Sequence, residues 1–203
     1  MSAHAQPRLT PEEYLEIERA ADFRSEYYNG CMYAMSGSSP NHIRINTNIT
    51  GQLWSALRTR NCMLGSNDFR VRVSPRGLYT YPDIVVVCGE LQYAGNPKDT
   101  LINPTFILEI LSPSTEAYDR GFKFTQYRTI ESLEEYVLVS QTEPRVEVYR
   151  RQSGGTWLFA DASGLHSSVR FESIDCVIGL ADIYEKVTFA SDEVIPPRPP
   201  RDE

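Results

Sequence analysis

The sequence contains no apolar run close to the ~20 residues that a membrane-spanning helix requires. Its first eight residues are polar and include no apolar stretch of the kind that a secretory signal peptide has. These absences favour a soluble, cytoplasmic protein with no membrane partner. At 203 residues with 41% hydrophobic content, the chain can form one sizeable core. We predict a single domain over residues 1–190 and a proline-rich tail, residues 191–203, that is either disordered or an SH3-type ligand.

The sequence also lacks two motifs that would assign a function directly. Its four cysteines form no CxxC pair and have no histidine at ligand spacing, which argues against a zinc site and against a disulfide framework. We therefore expect Cys31, Cys62, Cys88 and Cys176 to be reduced core thiols. No GxxxxGK[ST] loop occurs, which makes a nucleotide phosphohydrolase the least favoured enzyme class.

The chain has little positive charge, with a formal net charge of −7. This balance argues mildly against a protein coated in DNA, because lysine and arginine supply most non-specific affinity for phosphates. Arginines nevertheless cluster between Arg58 and Arg76. Arg70 and Arg72 stand two residues apart on a predicted strand and share one face, so they either contact a phosphate backbone or protect an exposed sheet edge.

The hydrophobic pattern predicts helices and strands in an order typical of an α/β protein, with a mixed sheet flanked by helices. A capping box at Thr10 and Glu13 begins a first helix that ends near Ala21. Asn29-Gly30 between two strand-like runs predicts a β-hairpin. The remaining predicted helices span residues 41–60 and 117–130. The predicted strands span residues 68–74, 81–88, 105–111, 135–140 and 146–150, with short β-like pieces after Gly155. The first two of these strands are predicted to pair through the turn at 75–77.

Two carboxylates sit at the edges of predicted core strands. Asp83 precedes the run 84–87, and Glu109 lies inside the run 106–111. A buried carboxylate is costly unless it is paired, neutralised or bound to a metal. Hard oxygen ligands on rigid strands suit a divalent cation that activates water for phosphodiester hydrolysis, and the backbone carbonyl of Ile110 is a further candidate ligand. Lys123, on the next predicted helix, can stabilise hydroxide and developing charge, with Asp119 and Tyr127 on the same helix face.

The ensemble resembles a known group of proteins. Pro82-Asp83 followed by Glu109-Ile110-Leu111 is similar to the motif of the PD-(D/E)XK nuclease superfamily, and the order of segments over residues 9–150 resembles its Uma-type restriction endonuclease-like family. Besides the two carboxylate segments, the segments that carry this resemblance are the hairpin after Glu26, the segment ending at His42, residues 112–115, residues 119–123, Tyr127 and residues 135–139. The resemblance implies a restriction endonuclease-like fold, Mg²⁺-dependent hydrolysis of DNA, for which Mn²⁺ can substitute, and a homo-oligomer, expected to be a dimer.

The resemblance also assigns roles and shows one departure. Asp83 and Glu109 would bind the metal, and Glu26 matches a further acidic position near it. The superfamily motif has lysine two residues after the glutamate, but Leu111 occupies that position, so Lys123 would supply the amine from the following helix. His42 either contacts a phosphate or is a polar residue at a helix start.

Other interpretations of the same residues stay open at the level of sequence. Asp83 could cap a turn or pair with an arginine such as Arg72, and Lys123 could be a solvated lysine. The leading hypothesis is a metal-dependent DNA endonuclease. The alternative, supported by the acidic net charge and the displaced lysine, is a catalytically inactive module of the same fold that binds nucleic acid or protein.

Overall fold

The computed structural model describes residues 8–35, 37–74 and 77–189. The helices are α1 (Pro11–Ala20), α2 (Pro40–Leu57), α3 (Glu116–Tyr118), α4 (Phe124–Tyr127) and α5 (Leu180–Ile183), with a π-helical turn, Asp119–Lys123, between α3 and α4. The strands are β1 (Ser25–Tyr28), β2 (Cys31–Ala34), β3 (Cys62–Ser66), β4 (Arg70–Arg72), β5 (Tyr79–Thr80), β6 (Ile84–Cys88), β7 (Thr100–Leu101), β8 (Phe106–Ile110), β9 (Glu135–Val139), β10 (Arg145–Arg151), β11 (Trp157–Ser163), β12 (Ser168–Phe171) and β13 (Cys176–Gly179). The predicted tail, residues 191–203, lies outside the described residues.

Local sequence signals explain the N-terminal third of the chain. The Thr10 hydroxyl accepts from the Glu13 backbone N–H while the Glu13 carboxylate accepts from the Thr10 backbone N–H, which is the predicted capping box. Asn29 and Gly30 both have positive φ, as the tight turn between β1 and β2 requires. In α2, Ile45, Ile49 and Leu53 recur on one buried face. The predicted first helix, hairpin and second helix are confirmed.

Strand pairing corrects one prediction. The strand that contains Arg70 and Arg72 pairs with β5, not with residues 81–88. Pro82 lies between β5 and β6, and a proline cannot donate a ladder hydrogen bond. The chain therefore leaves a five-stranded sheet, order β2-β1-β5-β4-β7, and enters a six-stranded sheet, order β11-β10-β9-β8-β6-β3. This crossing places Asp83 at the junction of the two sheets.

The six-stranded sheet is covered on both faces. One face, with Ile84 and Leu108, packs against α2 and against the C-terminal elements β12, β13 and α5. The other, with Val85, Ile107 and Leu111, packs against Tyr127 and residues of the five-stranded sheet. Because side chains alternate along a strand, Asp83 and Glu109 project from this second face, towards the segment α3–α4.

The structure also corrects the cysteine prediction. Cys62 stands opposite Cys88 in the β3–β6 pair, and the two are joined in a disulfide. Cys176 is free and buried as expected, whereas Cys31 is free but exposed. The prediction missed β3, so the cross-strand position of the two cysteines could not be foreseen from their spacing. Among the described residues, no helix is both long and apolar enough to cross a membrane.

Candidate active site

Two carboxylates meet at the ends of neighbouring strands. Ile84 pairs with Leu108 in the antiparallel β6–β8 ladder, and one step further along this register brings Asp83 opposite Glu109. The backbone N–H of Asp83 lies 3.4 Å from Glu109 Oε2. Like charges directly opposite each other on one sheet face repel, so this arrangement is unfavourable unless a proton or a cation lies between the two groups.

Asp83 is held by two donors. Its Oδ2 accepts a 2.7 Å hydrogen bond from the backbone N–H of Ile110, and it lies 3.1 Å from His42 Nε2. His42 stands in the first turn of α2, where its backbone N–H donates to the Ser39 hydroxyl. Asp83 thus pairs with His42 and not with Arg72, and these contacts fix the orientation of its carboxylate.

Lys123 reaches back from the helical segment to the strand carboxylates. Its Nζ lies 3.1 Å from Glu109 Oε1, 3.1 Å from Glu26 Oε1 and 3.3 Å from Asp119 Oδ1. The lysine side chain is only 8% exposed, which rules out the solvated-lysine interpretation. It belongs to the π-helical turn, in which the Phe124 backbone N–H donates to the Asp119 carbonyl. Such single π-turns inside helices are frequent at functional sites.

Glu109 and Glu26 each have further donors. The Tyr127 hydroxyl donates to Glu109 Oε1 at 2.8 Å. Glu26 accepts from the Thr80 hydroxyl and, at 3.0 Å, from the Tyr118 hydroxyl. Among the described residues, Glu109 Oε2 has only the long contact with the Asp83 backbone N–H, so this oxygen is available for a ligand.

Burial and crowding perturb the ionisation of the cluster. Burial raises the pKa of Glu109, the Lys123 charge opposes this shift, and the Asp119 and Asp83 charges add to it. Burial alone would lower the pKa of Lys123, but the surrounding carboxylates raise it well above its ordinary value. Lys123 is therefore a fixed ammonium at neutral pH, and the site has a surplus of carboxylates over cations.

The cluster forms the floor of a cavity of about 390 Å³. One wall is the end of β2 with the following loop, including Tyr33, Met35 and Ser39. The opposite wall is the loop after β8, residues 112–115. The floor residues are Glu26, His42, Asp83, Glu109, Ile110, Asp119 and Lys123. The single cavity is thus lined by His42 and by all but one of the residues predicted to be catalytic, metal-binding or supporting. The exception, Tyr127, lies behind it and contacts Glu109.

The two arginines predicted to contact DNA do not line this cavity. The Arg70 side chain is 5% exposed, pairs with Asp99 at 2.9 Å and donates to Thr100 and Tyr81. Arg72 is half-buried opposite Tyr79 in the β4–β5 pair. Arg70 is thus a buried arginine engaged by Asp99, away from this cavity, and its contact with a phosphate backbone stays a prediction.

Sequence reasoning missed three polar residues that support the site. Thr80 and Tyr118 hold Glu26, and Gln141 bridges the two walls by donating to the Leu111 carbonyl at 2.7 Å and accepting from the Ser39 hydroxyl. None stands in a motif, and each reaches the site through tertiary structure. The only sequence signal was the polar residue type at Gln141, directly after a predicted core strand.

The residues present fit a divalent cation of the hard, oxygen-binding type. Asp83 and Glu109 supply carboxylate oxygens on two rigid strands. In the described part of the chain no three His, Cys, Asp or Glu side chains form a complete metal cage. A cation here would complete its shell with the Ile110 carbonyl, water or substrate oxygens, as Mg²⁺ does when it keeps few protein ligands.

Comparisons with known proteins bear on the family and the fold of this chain. Two uncharacterized proteins of Synechocystis sp. are each 33% identical to this chain. The alignment with the first covers 90% of this chain and 95% of that protein. The alignment with the second covers 80% of this chain and 92% of that protein. The crystal structure of "a putative nuclease belonging to DUF820" from Anabaena variabilis superposes with a TM-score of 0.71 at 20% identity, over 87% of this chain and 97% of that one. The mixed α+β fold, predicted as restriction endonuclease-like, is confirmed. The model of the Uma2 family, described as "putative restriction endonuclease", matches residues 11–174, and the chain belongs to this family.

Proposed function

We propose that the protein is a Mg²⁺-dependent endonuclease that hydrolyses DNA phosphodiester bonds. The observation that carries the proposal is the convergence of Asp83, Glu109 and Lys123 on one cavity floor, from two adjacent strands and the following helix. The family and the related nuclease structure support a nuclease; the metal, the DNA substrate and the residue roles belong to the proposal.

Each residue has a task that its contacts support. Asp83, oriented by His42 and Ile110, and Glu109, oriented by Tyr127, would hold the cation. Once bound, the cation would polarise a phosphoryl oxygen and lower the pKa of a bound water. Lys123 would place a fixed positive charge beside the attacking oxygen and the negative charge that develops on the phosphoryl oxygens. Its high pKa makes it unsuitable as a general base.

The displaced lysine is compatible with this chemistry. Leu111 occupies the motif position and packs into the core, 5% exposed. Lys123 instead reaches Glu109 Oε1 from the π-helical turn. Glu26 and Asp119 hold the same ammonium in place, which supports a positioning role for both.

Cleavage of supercoiled plasmid tests the proposal. The purified protein should nick the plasmid with Mg²⁺ or Mn²⁺ and should be inactive with EDTA. Asp83→Asn should lose both metal binding and nicking, whereas Lys123→Met should lose nicking and still bind metal. Lys186→Met, which alters an 81% exposed lysine, is the matched control and should nick normally. Absence of cleavage of both the plasmid and a single-stranded DNA circle, or equal cleavage by all variants, would favour the inactive binding module. The expected dimer can be measured on the same preparation by light scattering.

A further inference from the structure

We propose that the substrate enters this cavity as single-stranded DNA, with Tyr33 as the residue on which a base stacks. This inference deepens the proposed function and rests on it. It concerns the cavity wall formed by the end of β2 and the following loop, which the cleavage chemistry does not use.

The position of Tyr33 follows from the register of the β1–β2 hairpin. Tyr33 stands opposite Glu26, so the two side chains project from the same face of the sheet. Glu26 reaches Lys123 on the cavity floor. Tyr33 therefore stands on the cavity side of β2, the edge strand of its sheet, and lines the cavity.

Tyr33 and Met35 present aromatic and apolar surface at this wall, next to Gly37, Ser38 and Ser39. Tyr33 is 54% exposed and Met35 is 40% exposed, although both are large hydrophobic residues. Tyr81 and Tyr118 also line the cavity. Exposed aromatic side chains along a nucleic-acid path stack on bases, and each such contact is worth about 1–3 kcal/mol in alanine substitutions.

The charge of the cavity is unsuited to gripping a duplex. Of the described residues that line it, none is an arginine, and Lys123 and His42 are both engaged by carboxylates. The opposite wall offers uncharged hydroxyls, including Ser112, Ser114 and Thr115. Lysine and arginine contacts with phosphates supply much of the affinity for nucleic acid, and a duplex depends on them more than a single strand does, so affinity here must come from another source. Stacking on unpaired bases is such a source.

The depth of the reacting groups points the same way. The side chains of Glu109 and Lys123 are 5% and 8% exposed. A flexible single strand can bend its backbone into such a recess more readily than a stiff duplex can.

Fluorescence anisotropy with a labelled oligonucleotide of mixed sequence, single-stranded or annealed to its complement, tests the inference. Binding is measured in Ca²⁺, a hard cation with the same preference for oxygen ligands as Mg²⁺. The single strand should bind more tightly than the duplex. Tyr33→Ala should weaken single-strand binding by about 5- to 150-fold, and Tyr33→Phe should keep the wild-type affinity because the ring remains. Trp54→Ala is the control, since Trp54 is 63% exposed and does not line the cavity.

The outcomes separate this inference from the proposed function. Tighter binding of the duplex, or wild-type affinity in a folded Tyr33→Ala variant, would overturn the single-strand inference and leave the nuclease proposal intact. Single-strand binding that depends on Tyr33, without cleavage of either substrate in Mg²⁺ or Mn²⁺, would support the inference and remove the nuclease proposal.

Discussion

Replacement of Lys123 by methionine should destabilise the protein strongly at neutral pH. The side chain is 8% exposed, and its ammonium lies within 3.3 Å of Glu26, Glu109 and Asp119. Methionine fills a similar volume but leaves three buried carboxylates without their cation. Removing one partner of a buried ion pair costs about 3–5 kcal/mol. For a chain of this length, that corresponds to a melting temperature lower by about 6–20 °C.

The dependence on pH distinguishes this loss from a packing defect. Without Lys123, which opposes the rise, the pKa values of Glu109 and Asp119 rise further in the folded state but not in the unfolded state. The folded variant then binds more protons than the unfolded chain, so its stability falls as pH rises above the ordinary carboxyl range. The deficit should be largest at pH 7 and should shrink towards pH 4, where protonated carboxyls need no cation.

Urea unfolding of wild type, Lys123→Met and Lys186→Met at both pH values measures this effect. The midpoint should shift with little change in the denaturant slope. The surface control should stay within about 0.5 kcal/mol of wild type. A Lys123→Met variant as stable as wild type at pH 7, or a deficit independent of pH, would refute the buried charge cluster described above.

Three further predictions concern separate contacts. Tyr127→Phe keeps the buried ring but removes the hydroxyl that donates to Glu109. Single-turnover cleavage should therefore slow by about 10- to 100-fold, with the fold intact by circular dichroism. An unchanged rate would exclude a positioning role for Tyr127. Burial opposes ionisation of Asp99, but hydrogen bonds from Arg19 and Thr100 and the charge of Arg70 lower its pKa to about 2. Asp99→Asn should therefore cost about 2 kcal/mol at pH 7, and urea midpoints should converge between pH 4 and pH 2 as wild-type Asp99 is protonated; a constant gap would contradict this. The Cys62–Cys88 disulfide closes a loop of sequence separation 26, so its reduction should lower the free energy of unfolding by about 3–4 kcal/mol. Thiol titration of the unreduced, denatured protein should find only Cys31 and Cys176 reactive.

Local chemistry allowed much of the fold to be predicted. Thr10 and Glu13 fix the start of α1, Asn29-Gly30 fixes the hairpin, and apolar residues every four positions fix α2. Each signal acts within a few residues, where capping, turn geometry and periodicity dominate.

Strand pairing could not be predicted in the same way, because it depends on contacts distant in sequence. The short strand β3 carries Gly65 and no β-branched residue, so its pairing with β6 was missed, and with it the disulfide. Pro82 marks where the chain changes sheets, yet the sequence pattern alone suggested a continuous hairpin. The burial of Arg70 could not be predicted for the same reason, since its partner Asp99 lies in a distant loop.

The carboxylates of the candidate site were found because a charge inside an apolar strand is costly, and such a residue calls for a partner. Glu109 stands out by this criterion alone. Lys123 does not stand out, because a lysine on a helix is ordinarily solvated. Only the π-helical turn and the packing of that helix on β8 bring its amine to Glu109.

The most direct test of the central claim is plasmid nicking by wild type and Glu109→Gln across a Mg²⁺ titration. The substitution keeps the shape of the side chain and removes the charge that would hold the cation. We expect wild type to nick with a saturable dependence on Mg²⁺ and the folded variant to stay inactive at every concentration. Nicking by Glu109→Gln at the wild-type rate would contradict a metal-dependent nuclease centred on Asp83 and Glu109.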